Sequence, residues 1–126
     1  AFELPARSVA FELNLAVLFG KASDSPKPAS PVSGFPLAKE DLAFVVADTV
    51  PASDVLAAVR EGGGELLEDA RVFDVFTGPQ VGEGKKSVAI ALRMRAPDRT
   101  LTADEVAAVR FAAVATAQER VGAVLR

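Results

Sequence analysis

The chain has 126 residues, a length that fits one compact domain with some additional chain, and half of its residues are hydrophobic without any apolar run long enough to span a membrane. It contains no Cys and no His, which excludes disulfides, thiolate nucleophiles, serine–histidine–aspartate triads and zinc sites built from these residues. The formal net charge of −3 argues mildly against a stand-alone nucleic-acid-binding domain, because such domains are usually strongly basic.

Apolar residues alternate along the first segment of the chain, between Arg7 and Phe19. This alternation predicts a strand with one buried face. A single strand has no independent stability, so residues 1–19 are expected to complete a sheet upstream of this chain or to dock on the domain that follows, and we favour the first. Since the sequence begins Ala1-Phe2-Glu3 with neither Met nor a signal peptide, we expect a fragment of a longer cytoplasmic protein.

The next segment, residues 20–34, is rich in Gly, Ser, Pro, Lys and Asp. Such a segment cannot bury enough apolar surface to offset the entropy of ordering it, so it predicts a flexible linker. The linker marks a domain boundary, and residues 35–126 are predicted to form the main domain.

Regular elements follow the linker. Leu42, Phe44 and Val46 alternate as the buried face of a strand. A helix is predicted to begin at Pro51 and to end at the three glycines 62–64. The predicted strands are residues 41–46, 66–76, 87–95 and 121–125, and the predicted helices are residues 51–61 and 103–120. In the second strand, Val72 is predicted to share a face with Asp74 and Phe76.

A capping box marks the start of the second predicted helix, because Thr102 can accept a hydrogen bond from the backbone amide three residues on while Glu105 reaches back. The order strand, helix, strand, strand, helix, strand is that of the split βαβ arrangement. We therefore predict an α+β fold, ferredoxin-like βαββαβ, in which a four-stranded antiparallel sheet carries two helices on one face and has an open opposite face.

Two features of the sequence suggest chemistry, and neither is supported by its surroundings. The hairpin segment ending in Lys85-Lys86-Ser87 is glycine-rich, but a phosphate-binding loop needs a glycine where Pro79 stands and a helix where a strand follows. Asp41 and Asp74 could form a carboxylate pair across the open face, yet no second feature supports catalysis. No catalytic residue and no metal site are predicted.

The open face is the strongest candidate for a functional surface. Phe76 is an aromatic ring among small residues and can stack on an unpaired base, while Asp74 and Ser87 can form hydrogen bonds with the edge of that base. The alternative is an ordinary exposed sheet face or an interface with another protein. The face is predicted to present Asp41, Ala43, Val45, Asp74, Phe76, Ser87, Ala89, Ala91 and Arg93.

Residues 83–99 form a locally basic strip within the acidic chain. Five cations against two carboxylates give this stretch a charge of +3. Arg93, Lys85 and Lys86 are the predicted contacts for RNA phosphates, because neutralising phosphates supplies much of the affinity for nucleic acid. The five cations are Lys85, Lys86, Arg93, Arg95 and Arg99.

Three runs of sequence resemble the ferredoxin-fold anticodon-binding domain, namely residues 71–78, 82–89 and 98–106. Residues 35–46 are similar to the first strand of that family, so the resemblance covers about residues 33–126. The upstream residues 9–15 resemble the last strand of the catalytic-like module that precedes this domain in the beta chain of bacterial phenylalanine–tRNA ligase. This resemblance would explain the lone strand and the linker.

The resemblance implies a non-catalytic domain that closes this beta chain and binds the anticodon stem-loop of phenylalanine tRNA. It implies that the open face reads the first anticodon base, with Asp74 and Ser87 as polar contacts, Phe76 as the stacking residue and Ala91 as the small neighbour that leaves the base room. It implies a partner alpha subunit in a two-alpha, two-beta heterotetramer, whose alpha chain uses ATP and magnesium to attach phenylalanine to the tRNA.

The chain departs from the family pattern at two places. The family usually has Arg-Arg where this chain has Lys39-Glu40, and Tyr-Arg-Gly where it has Phe76-Thr77-Gly78. Phe76 keeps the ring, whereas Glu40 and Thr77 each replace a positive charge that could meet phosphate. These changes and the net charge motivate the alternative function, a protein-interaction domain of ferredoxin-like fold that has lost RNA binding.

Overall fold

The computed structural model describes residue 5, residues 7–22, residue 25 and residues 33–126. The chain divides into two units, Ala1–Pro31 and Val32–Arg126. Most of the predicted linker, residues 23–24 and 26–32, lies outside the described residues, as do residues 1–4 and 6 of the predicted upstream strand. The assignment of residues 1–19 to an upstream module and of residues 20–34 to a flexible linker stays a prediction.

The first unit contains a helix where the alternating pattern predicts a strand. Helix α1 spans Leu15–Lys21, and the side chain of Asn14 caps it by accepting hydrogen bonds from the amides of Ala16 and Val17. Residues 7–14 belong to no strand. A strand needs a partner for its backbone hydrogen bonds, and the described part of this unit offers none. Because the prediction places the partner strands in an upstream module, it stays a prediction, although Leu15–Lys21 is helical in this structure. The large apolar side chains of this segment are all exposed.

The second unit contains the predicted order of strands and helices, and the ferredoxin-like prediction is confirmed. All strand pairs are antiparallel, and the order across the sheet, with the strands counted along the chain, is second, third, first, fourth. The first strand begins three residues earlier than predicted, at Ala38. The elements are β1 (Ala38–Ala47), α2 (Ala52–Gly63), β2 (Leu67–Phe76), β3 (Lys85–Met94), α3 (Ala103–Val121) and β4 (Val124–Leu125), with single 3-10 turns at Gly64–Leu66 and Pro79–Val81.

The hydrophobic core lies between the sheet and the two long helices. It takes alternate residues of β1 and β3 together with the inner sides of α2 and α3. The helices approach closely, since a Cβ added at Gly62 would lie 2.6 Å from the carbonyl oxygen of Ala112. The core includes Leu42, Phe44, Val46, Val55, Val59, Val88, Ile90, Leu92, Met94, Val109 and Ala113.

A β-bulge in β2 changes which residues face the core. Val72 pairs with Ile90 on the core side, whereas Asp74 pairs with Ala89 on the open side, so β2 contains one additional residue between them. Directly paired residues share a face, and the prediction that Val72 shares a face with Asp74 is therefore wrong. The same shift places Arg71, which pairs with Ala91, on the open face.

The predicted capping box begins α3. The Thr102 hydroxyl accepts from the amide of Glu105, and the Glu105 carboxylate accepts from the amide of Thr102. The pKa of Glu105 is lowered from 4.5 to about 2, mainly by the hydrogen bond from the Thr102 backbone and, to a smaller extent, by the Arg99 guanidinium. Because the lowered pKa belongs to the folded state, the ionised carboxylate stabilises the fold above pH 4.5, and this stabilisation is lost as the pH falls towards 2.

We expect Glu105→Gln to reduce the acid sensitivity of the fold. The unfolding temperature of the wild type should fall more than that of the variant between pH 4.5 and pH 2, because only the wild type must protonate this carboxylate. Thermal unfolding followed by circular dichroism at several pH values measures the difference. Glu119→Gln on the same helix serves as the control, and an equal effect from both variants would contradict the capping argument.

Candidate nucleic-acid interface

The strand register brings the predicted site residues together as rows across the open face. All nine residues predicted for this face lie on it. Eight of them pair directly across the sheet with another of the nine, and Arg93 follows Ala91 by two positions on β3. Cross-strand neighbours have Cβ atoms about 4.5–5.5 Å apart, so each row is a continuous surface. The rows across β2, β3 and β1 are Phe76–Ser87–Val45, Asp74–Ala89–Ala43 and Arg71–Ala91–Asp41.

The first row forms an apolar platform with Phe76 at one end. The Phe76 side chain is 40% exposed, and its ring lies against the hairpin backbone, since a Cβ at Gly78 would lie 2.7 Å from its Cζ atom. On the other side of Ser87, Val45 pairs with Val124 of β4, which is 62% exposed. The platform therefore crosses all four strands and can support the flat face of an unpaired base.

Two polar side chains flank the Phe76 ring and have no partner within the described part of the chain. Asp74 precedes Phe76 by two positions on the same strand face, and Ser87 stands directly opposite it. Neither the Asp74 carboxylate nor the Ser87 hydroxyl takes part in a hydrogen bond or ion pair among the described residues. Ser87 is only 6% exposed and forms the floor between Phe76 and Val45. Both groups are available to the edge of a base.

The basic strip predicted from residues 83–99 is divided by the fold. Lys86 pairs with Val46 on the helix-covered side, and its Nζ atom donates to the Asp48 carbonyl at 2.7 Å. Arg95 and Arg99 form ion pairs with carboxylates of the protein, Glu68 and Glu105. The inclusion of Lys86 in the site is corrected accordingly, because alternation places it opposite to Lys85 and its charge is already engaged.

Of the five cations of the predicted basic strip, Lys85 and Arg93 lie on the open face with no partner among the described residues. Each lies on the same side of β3 as Ser87, and neither has an ion pair or side-chain hydrogen bond among the described residues. Lys85 also lines a cavity of about 460 Å³ beneath the glycine-rich hairpin, together with Thr77. The hairpin leads into β3 and not into a helix, so it lacks the helix N-terminus of a phosphate-binding loop.

Two further cations of the open face are not predicted from the sequence. Lys39 pairs with Arg93, and Arg71 pairs with Ala91, beside a cleft of about 160 Å³. Lys39 is missed because β1 begins earlier than the alternation of apolar residues shows, and Arg71 because the bulge reverses the apparent face. Glu40 pairs with Leu92 on the helix-covered side and lies 3.9 Å from Arg110, so its charge does not face the open side.

The described residues contain neither a cluster of metal ligands nor a helix that could span a membrane. Within residues 7–22 and 33–126, no three His, Cys, Asp or Glu side chains come together as ligands for a metal ion. None of the helices described is both long and apolar enough to cross a membrane. Among the described residues, the open face gathers unengaged polar, charged and aromatic groups.

Comparison with known proteins identifies the family of the second unit. The family model described as "Ferredoxin-fold anticodon binding domain" matches residues 33–126. The chain is 52% identical over 126 residues to the phenylalanine–tRNA ligase beta subunit of Thermobifida fusca, covering 100% of this chain and 15% of that protein. It is 56% identical over 123 residues to that of Streptomyces avermitilis, covering 98% of this chain and 15% of that protein. The chain thus spans about one seventh of the length of these relatives.

Proposed function

This chain belongs to the ferredoxin-fold anticodon-binding domain family, and from that premise we propose that its open sheet face binds the anticodon stem-loop of phenylalanine tRNA. The observation that carries the proposal is the Phe76 platform with two unengaged polar groups, Asp74 and Ser87, beside it. Single-stranded bases are recognised in this way, by stacking on an aromatic ring and by hydrogen bonds to the exposed base edge.

Each side chain has a distinct part in this proposal. A base splayed from the loop stacks on Phe76, and the Asp74 carboxylate accepts hydrogen bonds from its edge, which favours a base with donors there, such as guanine. The Ser87 hydroxyl can donate or accept. Ala89 adds little bulk beside the base, Ala91 leaves room one row further along β3, and Lys85 and Arg93 meet backbone phosphates. The domain binds and orients the tRNA and does no chemistry itself.

We further propose that the domain serves the aminoacylation reaction of a phenylalanine–tRNA ligase as part of its beta subunit. The relatives are named as beta subunits, which supports a further, alpha subunit in the same enzyme. We extend the proposal to a two-alpha, two-beta heterotetramer in the cytoplasm. ATP and magnesium would act in the alpha subunit when bound there, and this chain's residues would only hold the anticodon end of the tRNA. The acidic total charge is compatible with this role, because four unengaged cations lie on the open face.

Titration of the 126-residue chain with the synthetic anticodon stem-loop of phenylalanine tRNA tests the proposal. We expect weak binding at low salt that declines as the salt concentration rises, because phosphate contacts release counterions. A chain with no measurable affinity at low salt would contradict the proposal. Capture of a specific protein on the same face, without RNA binding, would favour the protein-interaction function.

We expect Asp74→Ala to weaken binding of the stem-loop by about fivefold to tenfold, because it removes a charged acceptor from the base edge. The loss should depend on the base. Replacing guanosine by inosine at the first anticodon position removes one donor, so the substitution should weaken the wild type more than the variant. Glu119→Ala, a carboxylate change on α3, is the control. Equal discrimination between the two loops by wild type and Asp74→Ala would contradict the role of Asp74.

A further inference from the structure

A cleft of about 160 Å³ lies on the open face away from Phe76. Its floor is Ala91, whose direct neighbours are Asp41 on β1 and Arg71 on β2. Along β3, Ala91 is four residues from Ser87, a distance of about 13 Å at the usual rise of a strand. The cleft is thus a second location on the same surface and not an extension of the stacking platform.

Three cations and one carboxylate border this cleft. Lys39 and Arg93 pair with each other across the sheet in the row that follows Arg71 and Ala91. None of these three cations has an ion pair or a side-chain hydrogen bond among the described residues. Five arginines elsewhere in the unit do have carboxylate partners, namely Arg60, Arg95, Arg99, Arg110 and Arg120.

This contrast points to an anion as the occupant. Like charges placed side by side repel. Asp41 is the only carboxylate that lines the cleft among the described residues. Asp69, opposite Arg93 on β2, forms an ion pair with Arg60 at 3.7 Å, so three cations face two carboxylates. The floor residue is small and none of the described lining residues is aromatic, so the cleft offers no platform for a base. Guanidinium groups bind phosphate through two parallel hydrogen bonds, which suits Arg71 and Arg93.

We propose that this cleft is a second RNA subsite, which holds a backbone phosphate near the nucleotide whose base stacks on Phe76. The inference rests on the proposed function, because it assigns the phosphate to the same RNA. The separation of about 13 Å along β3 suits the two or three bases that RNA-binding sheets of four strands hold. Two subsites fix the direction of the loop along β3, so Arg71 positions the loop, while the groups around Phe76 recognise the base.

Arg71→Gln tests this subsite. We expect the affinity for the anticodon stem-loop at low salt to fall about fivefold to tenfold, and the slope of log affinity against log salt to become shallower by about 0.7, the value for one phosphate contact on a single strand. Discrimination between guanosine and inosine should be retained. Arg110→Gln on the helix-covered side is the control and should leave affinity and slope unchanged.

Single methylphosphonate substitutions, which remove one phosphate charge at a time, locate the contact. A substitution two or three nucleotides from the stacked base should weaken the wild type and have little further effect on Arg71→Gln. Asp41→Asn should strengthen binding, since it removes a negative charge beside the phosphate. An unchanged salt slope in Arg71→Gln, or weaker binding by Asp41→Asn, would overturn the phosphate subsite.

Two further measurements distinguish an RNA phosphate in this cleft from a free anion and from an empty cleft. If Phe76→Ala weakens binding while Arg71→Gln does not, the proposed function stands and the subsite fails; if neither variant changes binding, both fail. Titration with inorganic phosphate, followed through the NMR signals of the Arg71 side chain, should show no saturation at millimolar concentration. Saturable binding of inorganic phosphate there would reassign the cleft to a free anion.

Discussion

Phe44→Ala is expected to lower the free energy of unfolding by about 3–5 kcal/mol. Phe44 is fully buried in β1 and pairs with Val88 on one side and Leu125 on the other, so its ring lies at the centre of the core face. Its removal loses hydrophobic burial and leaves a cavity that the surrounding strands fill only in part. Since domains of this kind are stable by about 5–15 kcal/mol in total, the variant should lose about a fifth or more of its stability.

Urea denaturation followed by circular dichroism and intrinsic phenylalanine signals measures this loss. Phe111→Ala provides a matched control, because the same side chain is removed from α3 at a position that is 77% exposed. Its effect should stay within about 0.5 kcal/mol. Equal destabilisation by the two variants would mean that the core does not lie between the sheet and the helices.

The faces of β1 and β3 were predictable because both strands keep an unbroken alternation. Leu42, Phe44 and Val46 point to the core, and every residue expected on the open side from these strands lies there. A period of two assigns each residue of a strand to one face without any information about the partner strand. It fails in β2, where the bulge between Val72 and Asp74 inserts one residue and reverses the faces before it.

In the first segment, the alternation of apolar residues does not identify the secondary structure that this chain adopts. Residues 7–19 alternate as regularly as a strand, yet α1 occupies Leu15–Lys21. Alternation identifies the side that a strand would bury, but pairing with another strand is what stabilises it. Asn14 at the helix start is a local signal for a helix that the alternation obscures, because its side chain satisfies two free amides.

Charge is the property that the linear sequence predicts least well here. A sum over residues 83–99 counts Lys86, Arg95 and Arg99, which the fold engages with its own oxygens. It omits Lys39 and Arg71, which lie far away in sequence and reach the open face through strand pairing. Charges close to the RNA contribute most to the potential that it meets, because salt screens distant ones. The open face places four unengaged cations beside Asp41, Asp69 and Asp74, so a net charge of −3 does not by itself oppose binding there.

Phe76→Ala is expected to weaken binding of the anticodon stem-loop by about 1–3 kcal/mol, or roughly fivefold to a hundredfold. The ring is held against the hairpin at Gly78 and borders the platform that Ser87 and Val45 continue. Its position is thus set before RNA arrives, and little entropy is lost on stacking. Since Phe76 is 40% exposed at the end of an edge strand, its removal should cost far less stability than that of Phe44.

The salt dependence of Phe76→Ala distinguishes stacking from the phosphate contacts. Stacking releases no counterions, so the variant should bind more weakly at every salt concentration while the slope of log affinity against log salt stays that of the wild type. Phe76→Tyr keeps the ring and should bind at least as well as the wild type, and Phe111→Ala should be unchanged. A shallower slope in Phe76→Ala would mean that the ring positions the phosphates instead of holding a base, because the slope falls only when fewer phosphate charges are neutralised and fewer counterions are released.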